Sequence, residues 1–330
     1  MSQSFKALVV DKQEEQFSVE IKKRQISDLP QGEVLIQVKY SGVNYKDSLA
    51  GIPDGNIVTS YPMIPGIDLA GVVVSSDDPK FKEGDEVIAT SYEIGVSRDG
   101  GYSEYARIPA NWVIPLPQGL TLKETMIIGT AGLTAALSVL RLEENGAAPD
   151  KGKMLVTGAT GGVGSFAVSI LSSRGYAVEA STGKEMEKDY LLKLGATTVI
   201  PREEVFDGKI RALGKQKWAA AIDPVGGEPL AALLSQMDYG GSVAVSGLTA
   251  GTKLPSSVFP FILRGVNLLG IDSVYCPMET RLRAWELLAS EFKPANLEDL
   301  VFKEVELNEL PAVLPTLLKG EARGRILVKI

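Results

Sequence analysis

The chain of 330 residues contains no histidine and a single cysteine, Cys276. The common zinc sites draw on Cys and His, and one thiol cannot assemble one. Ser-His-Asp and Cys-His catalysis are excluded on the same count. Proton transfer therefore falls to Tyr, Lys, Asp, Glu, Ser, Thr or water. With no second cysteine an internal disulfide is impossible, which suits a reducing cytoplasm. Without a histidine to activate it, Cys276 reads as a quiet thiol rather than a nucleophile.

Positive charge is outnumbered by negative. The formal net charge of −7 argues against nucleic acid or an anionic membrane as the main partner. No run of about 18 apolar residues occurs, so nothing is expected to span a membrane. The amino-terminal stretch "MSQSFKALVVDKQEEQ" turns acidic too soon for a signal peptide. These exclusions point to a cytoplasmic protein that works on small molecules. The length is sufficient for two domains, each with its own core.

The chain is written in two patterns. In the first, short strands alternate with Pro/Gly/Asp turns: "KALVVD", "FSVEIKKR", "EVLIQVKYS", "GIDLAGVVVSS", "DEVIAT" and "YARIPANWVI". Alternation places Val34, Ile36, Val38 and Tyr40 on one strand face. Many short strands without a long helix predict a compact, barrel-like β domain. The second pattern opens with a helix over 122–142, started by a Thr121–Glu124 capping box. Strands then follow at 153–158, 176–181, 197–200, 218–223, 241–246 and 267–272, with helices between them. Such alternation predicts a parallel, doubly wound sheet. After a helix near 280–291, "VFKEVELNEL" and "GRILVKI" return to β character, the latter rejoining the first domain.

Between the first two of these strands lies "TGATGGVG", residues 157–164. Laid on G-x-G-x-x-G, it gives Ala159, Gly161 and Gly164. Alanine is tolerable at the first place if its φ stays negative. Gly161 admits the backbone to a diphosphate, and Gly164 lets the helix close on its strand. The helix behind it carries Val163, Phe166, Ala167, Ile170 and Leu171 as a sheet-facing stripe, and its amide end is an anion site. An NAD-binding version places Asp or Glu about 20 residues onward, on the ribose. Here that place reads "ASTGK", with Ser181, Thr182 and Lys184 and no carboxylate after Glu179. Hydroxyls and an ammonium suit a 2′-phosphate, so the cofactor reads as NADPH. Glu179, two residues earlier on the same strand face, is the alternative ribose ligand.

These stretches resemble the zinc-independent medium-chain dehydrogenase/reductases of the quinone oxidoreductase-like branch. The carriers are "SGVNYKD" (41–47), "MIPGIDLAG" (63–71), "GTAGLTA" (129–135), the glycine loop and "GRILVK" (324–329). "NYKD", "FPFILRGV" and "GIDSV" resemble the YhdH/YhfP type, which includes NADPH-dependent acrylyl-CoA reductases. The zinc-containing cousins carry G-H-E-x-x-G where this chain has "GIDLAG", with Ile67 in the histidine's place. The resemblance implies an α/β fold: a GroES-like β domain over 1–124, joined by 297–330, and a Rossmann domain over 125–296. It places the active site in the cleft between them.

It further implies that Asn44 and Tyr45 approach nicotinamide and substrate, with Tyr45 the proton donor. Read as extended, 45–47 would put Asp47 on Tyr45's side and Lys46 opposite. The other reading has Tyr45 only packing against the nicotinamide while solvent supplies the proton. Asp47 and Asp68 read as structural hydrogen-bonders. Thr130 would lie near the nicotinamide, and Thr160, Gly161, Gly162 and Val163 on the diphosphate. Ser181, Gly183, Lys184 and Arg202 would surround the 2′-phosphate. Leu248, Ile262 and Ser273 would line the nicotinamide side, with Arg325 approaching from the C-terminal segment. Arg98, in the loop "SRDGG", is either a substrate contact or a solvated loop residue. The activity implied is reduction of an α,β-unsaturated acyl thioester such as acrylyl-CoA. The alternatives are a quinone or general enone reductase and a non-catalytic NADPH-binding protein. A homodimer is expected through edge pairing around "NLLGIDSV".

Overall fold

In the computed structural model, which describes residues 4–14 and 16–330, alternation along 34–38 becomes the strand β3 (Val34–Val43). The first three residues of the amino-terminal stretch, and residue 15 within it, lie outside the described residues. Val34, Ile36 and Val38 enter one core with Leu69, Val73 and Val87. Leu35 and Val43 enter another with Ile64, Leu310 and Ile326. Tyr40 leaves the expected face. The pairing register shifts between Val38 and Tyr40, and the tyrosine is only half-buried.

β3 is central to a sheet ordered β14 (Val301–Glu306), β15 (Arg325–Lys329), β3, β4 (Asp68–Ser76), β5 (Glu86–Thr90), β7 (Ile114–Pro115). β6 (Tyr105–Ile108) pairs with β3 beside them, and β1 (Ser4–Gln13) with β2 (Gln16–Gln25) forms a separate antiparallel pair. Two short helices were not expected. α1 (Tyr45–Ala50) has six residues, too few for a periodic signal. α8 (Leu310–Leu318) starts where continued β structure was read, and carries two prolines, Pro311 and Pro315. Its Leu310, Val313, Leu314 and Leu317 follow helical spacing into the core of β3.

The Thr121–Glu124 box is formed: the Glu124 amide donates to Thr121 Oγ1, and the Thr121 amide to Glu124 Oε2. It opens α2 (Leu122–Glu144), which breaks at Gly129, φ 52° and ψ −160°. By length and composition α2 is the one described helix able to cross a membrane, yet its apolar stretch is largely buried in the fold.

The second sheet runs β10 (Thr198–Pro201), β9 (Val178–Thr182), β8 (Met154–Val156), β11 (Trp218–Asp223), β12 (Met237–Val245), β13 (Asn267–Gly270). Every pairing in it is parallel. α3 (Gly162–Ser173), α4 (Lys188–Lys193), α5 (Gly227–Leu234) and α6 (Phe259–Arg264) alternate with these strands. On α3, Phe166, Ala167, Ile170 and Leu171 are fully buried, whereas Val163 is half-buried. The strand order reverses between β8 and β11, the switch point at which such sheets receive ligands.

The chain divides into two units. The first holds Met1–Thr130, Val274–Ala289 and Leu300–Ile330; the second holds Ala131–Ser273 and Ser290–Asp299. The expected boundary at 124/125 thus lies six residues later, just past the Gly129 break. The helix α7 (Met278–Leu288), expected with the Rossmann strands, belongs to the first unit. Its Arg281 is fully buried, donates to Thr90 O, Thr90 Oγ1 and Val274 O, and stands 4.4 Å over the Tyr92 ring. An arginine so committed anchors its helix where its partners are.

Candidate active site

In the first unit, β3 ends where Asn44 caps α1. The Asn44 amide donates to Asp47 Oδ2 at 2.8 Å, and the Ile67 amide to Asp47 Oδ1 at 2.9 Å. Asn44 Nδ2 reaches Asp47 Oδ2 at 3.2 Å and Asp68 Oδ2 at 2.8 Å. Asp68 also accepts from Thr130, at 2.9 Å from its amide and 2.6 Å from its hydroxyl. Ser91 Oγ lies 2.9 Å from Thr130 Oγ1. Since the Thr130 proton points to Asp68, Ser91 is the donor.

Arg325 supplies the positive charge. It donates to Ile127 O, Val43 O and Asn44 Oδ1, and its Nη2 stands 3.8 Å from Asp68 Oδ2. A Cβ on Gly42 or Gly129 would come within 2.7 or 2.8 Å of that nitrogen, so both glycines make room for it. Two carboxylates thus share one guanidinium in a buried setting. Burial and the neighbouring Asp68 push the Asp47 carboxyl up to about 6.

Tyr45 begins α1 and is 40% exposed, while Asp47 is buried. The extended reading of 45–47 therefore fails. Helical residues two apart point roughly 200° away from each other, so Asp47 turns inward and Tyr45 outward. The Tyr45 hydroxyl makes no hydrogen bond among the described residues. Thr130 and Arg325, expected near the nicotinamide, direct polar atoms into this cluster, and Arg325 is buried. Arg98 bonds Gln31 O and stands 5.7 Å over Trp112, while the adjacent Asp99 accepts from the Ile64 amide. The "SRDGG" loop is therefore neither free nor simply solvated.

In the second unit the glycine loop takes the conformation its sequence allows. Gly158 carries the positive φ of 52°, and Ala159 does not need one. A Cβ on Gly164 would stand 2.4 Å from Gly158 O, so helix and loop require that glycine. Gly161 differs. A Cβ there would meet only Gly158 O, at 3.3 Å, so the space above it is left open by the protein itself. It caps α3 without a side-chain hydrogen bond, which leaves the helix amides facing that space. Those features fit a diphosphate.

Of the residues expected at the 2′-phosphate, Gly183 and Arg202 meet for a reason of register. Thr182 pairs with Pro201, so Gly183 and Arg202 follow side by side. A Cβ on Gly183 would lie 3.2–3.3 Å from the Arg202 side chain, which confirms their contact. Thr182 Oγ1 accepts from the Lys184 amide and lies 3.4 Å from Thr160 Oγ1. Burial lowers the Lys184 ammonium, against the pull of Glu187. Glu179 is committed elsewhere, 2.6 Å from Lys153 Nζ and 2.8 Å from Trp218 Nε1. The corner beyond β9 thus carries two cations, Lys184 and Arg202, with Glu187 and Glu203 beside them.

Near the switch point lie residues the sequence reading missed. Asp223, fully buried at the end of β11, accepts from Thr157 Oγ1 and from the Gly226 amide. The signal was "DPVGGE", a second glycine turn directly after a strand. Leu248 stands over Gly226, whose Cβ would lie 3.2 Å from the Leu248 Cα. Ser246 Oγ, just past β12, is buried without a protein partner. Ser273 accepts from Thr134 Oγ1 at 2.8 Å. Ile262 is exposed on α6.

Residues 30–118 match the alcohol dehydrogenase GroES-like domain, and 162–290 the zinc-binding dehydrogenase family. Over 330 residues, all of both chains, the sequence is 60% identical to YhfP of Bacillus subtilis, a protein named as a quinone oxidoreductase. It is 48% identical over 328 residues, 99% of both chains, to the acrylyl-CoA reductase AcuI of Ruegeria pomeroyi. The solved YhfP structure, with NAD bound, superposes over all of both chains with a TM-score of 0.97 at 60% identity. Escherichia coli YhdH with bound NADPH gives 0.95 at 44% identity, over 98% of this chain and 99% of that one.

Proposed function

The chain belongs to the medium-chain dehydrogenase/reductase family, in its quinone oxidoreductase-like branch, and from that premise we propose an NADPH-dependent reductase of α,β-unsaturated acyl thioesters such as acrylyl-CoA. It is an oxidoreductase that uses a nicotinamide cofactor. NADPH is favoured by one observation: Gly183, Lys184 and Arg202 make a cationic corner while Glu179 is held by Lys153 and Trp218. NAD in the YhfP structure favours the other nucleotide, and titration of both cofactors decides between them.

When bound, NADPH supplies a hydride. Thr160, Gly161, Gly162 and Val163 would hold its diphosphate, and Ser181, Gly183, Lys184 and Arg202 its 2′-phosphate. The chain has no histidine, Ile67 stands in the place of the zinc-containing relatives' histidine, and "SGVNYKD" has no cysteine. A thioester suits such a site, because its own carbonyl delocalises the charge that develops when hydride reaches the β-carbon. Tyr45 gives the proton to the α-carbon, directly or through a water. The Asn44–Asp47–Asp68–Arg325 cluster fixes the start of α1 and so the ring's origin. NADPH oxidation measured with acrylyl-CoA, crotonyl-CoA, a simple enone and a benzoquinone tests the reading. Preference for the quinone would make this a quinone reductase, the activity for which YhfP is named. No oxidation with any of them, despite NADPH binding, would leave a non-catalytic binder.

The protein works as a cytoplasmic homodimer in this reading. The edge strand β13 has a free side, and Val258, Phe259, Ile262 and Leu263 are exposed on or beside α6, just before it in the chain. Sedimentation should give a dimer at micromolar concentration. A monomer throughout that range removes the interface.

A further inference from the structure

The sheet of the second unit reverses order between β8 and β11, and the first residue after β8 meets the last residue of β11. Thr157 Oγ1 donates to Asp223 Oδ1 at 2.5 Å, and the Gly226 amide donates to Asp223 Oδ2 at 2.8 Å. Asp223 is fully buried, and no lysine or arginine pairs with it among the described residues. An uncompensated buried carboxylate is costly, so its hydrogen bonds must hold something whose position matters. What they hold is two loops. Thr157 begins the glycine loop, and Gly226, at φ 72° and ψ −159°, turns the chain into α5. That turn is packed without slack, since a Cβ on Gly226 would stand 2.6 Å from Gly247 O, and one on Gly247 only 1.9 Å from Pro224 O.

We propose that Asp223 is a positioning residue for the cofactor: one carboxylate clamps the loops on both sides of the switch point, and so presets the crevice for the diphosphate and nicotinamide half. The proposal rests on the nicotinamide-cofactor reading above. It separates two parts of one site. The Ser181–Lys184 corner lies at the carboxyl end of β9 and is not held by Asp223, so the adenosine end should be indifferent to the clamp. The diphosphate and nicotinamide end should not.

The test compares NADPH with 2′-AMP, which carries only the adenosine and 2′-phosphate, by fluorescence and calorimetric titration. In Asp223→Asn the amide keeps one acceptor but turns a second donor group toward a neighbour that needs an acceptor. NADPH should bind about tenfold or more weakly, with 2′-AMP affinity within twofold of wild type. Thr157→Val should weaken NADPH several-fold, and Thr157→Ser, which keeps the donor, should restore it. These threonine variants decide the matter if Asp223→Asn does not fold. Equal losses for NADPH and 2′-AMP would make Asp223 a fold residue only, and unchanged NADPH affinity would remove the clamp. Failure of wild type itself to bind NADPH would instead overturn the functional reading.

Discussion

The cluster around Asp68 and the corner around Lys184 are both polar, but they are finished to different degrees. At Asp68 the carboxylate, amide, hydroxyl and guanidinium groups are turned toward one another and buried. At Lys184 the charges stand at a sheet's carboxyl edge, with Arg202 side chain 76% exposed and its nearest ion-pair partner the adjacent Glu203. A closed polar cluster stabilises and orients, because breaking one member leaves buried groups unsatisfied. An open one is completed by what arrives. Substitutions in the first should therefore read out mainly as stability, and those in the second mainly as binding.

The largest effect should come from Arg325→Met, which leaves Asp47 and Asp68 without their cation. Removing one partner from a buried ionic cluster costs about 3–5 kcal/mol. Urea unfolding should show the loss, and hydrogen exchange should confine it to the first unit. A loss under about 1 kcal/mol would mean the cluster behaves as an open, solvated one. Next is Tyr45→Phe, the exposed exception within the closed unit. It should lower kcat on acrylyl-CoA by about 10²-fold and leave NADPH affinity within twofold. Undiminished turnover would reduce the tyrosine to packing.

The third effect is one of pH. Asp47 titrates near 6 in the folded protein against an ordinary 3.8, so the native state holds its proton more tightly. Its contribution is full below about pH 4 and is lost as pH rises through about 6. Asp47→Asn cannot titrate, so it should gain on wild type across that interval by on the order of 2 kcal/mol. Paired urea titrations at pH 4.5 and 7.5 measure this, and a constant difference would contradict it. The smallest effect belongs to the open corner. Lys184→Glu should weaken NADPH about tenfold more than NADH without lowering the melting temperature. Raised salt should narrow the gap between the two cofactors in wild type. Equal losses for both would move the 2′-phosphate away from Lys184.

The two regions were also unequally legible in the sequence. The glycine loop, the parallel strands and the absence of a terminal acid on β9 are local signals within some thirty residues, and simple strand register brings Gly183 beside Arg202. The cluster was not local. Asn44 and Arg325 are 281 positions apart, and no periodicity links them. Its helix α1 was too short to register, and treating 45–47 as extended reversed the relation of Tyr45 to Asp47. The helix α8 was obscured by its prolines, one in its first turn and one inside it. The Gly129 break was invisible because helical sequence runs on through both sides of it, from Leu122 to Glu144. Composition gave the chemistry that is excluded, but not which buried group neutralises which.

The first unit is assembled from three separated stretches of chain, and this has a consequence for the order of events during synthesis. β3 is complete when residue 43 has been made, yet its partner β15 lies beyond residue 324. All of the second unit is translated in that interval and can fold as it emerges, whereas the first must wait. Until then Asp47 and Asp68 have no cation, and residues 40–43 of β3 lack the neighbour that β15 gives them. A ribosome stalled before residue 325 should thus display a protease-resistant dinucleotide-binding unit tethered to a protease-sensitive, aggregation-prone β segment.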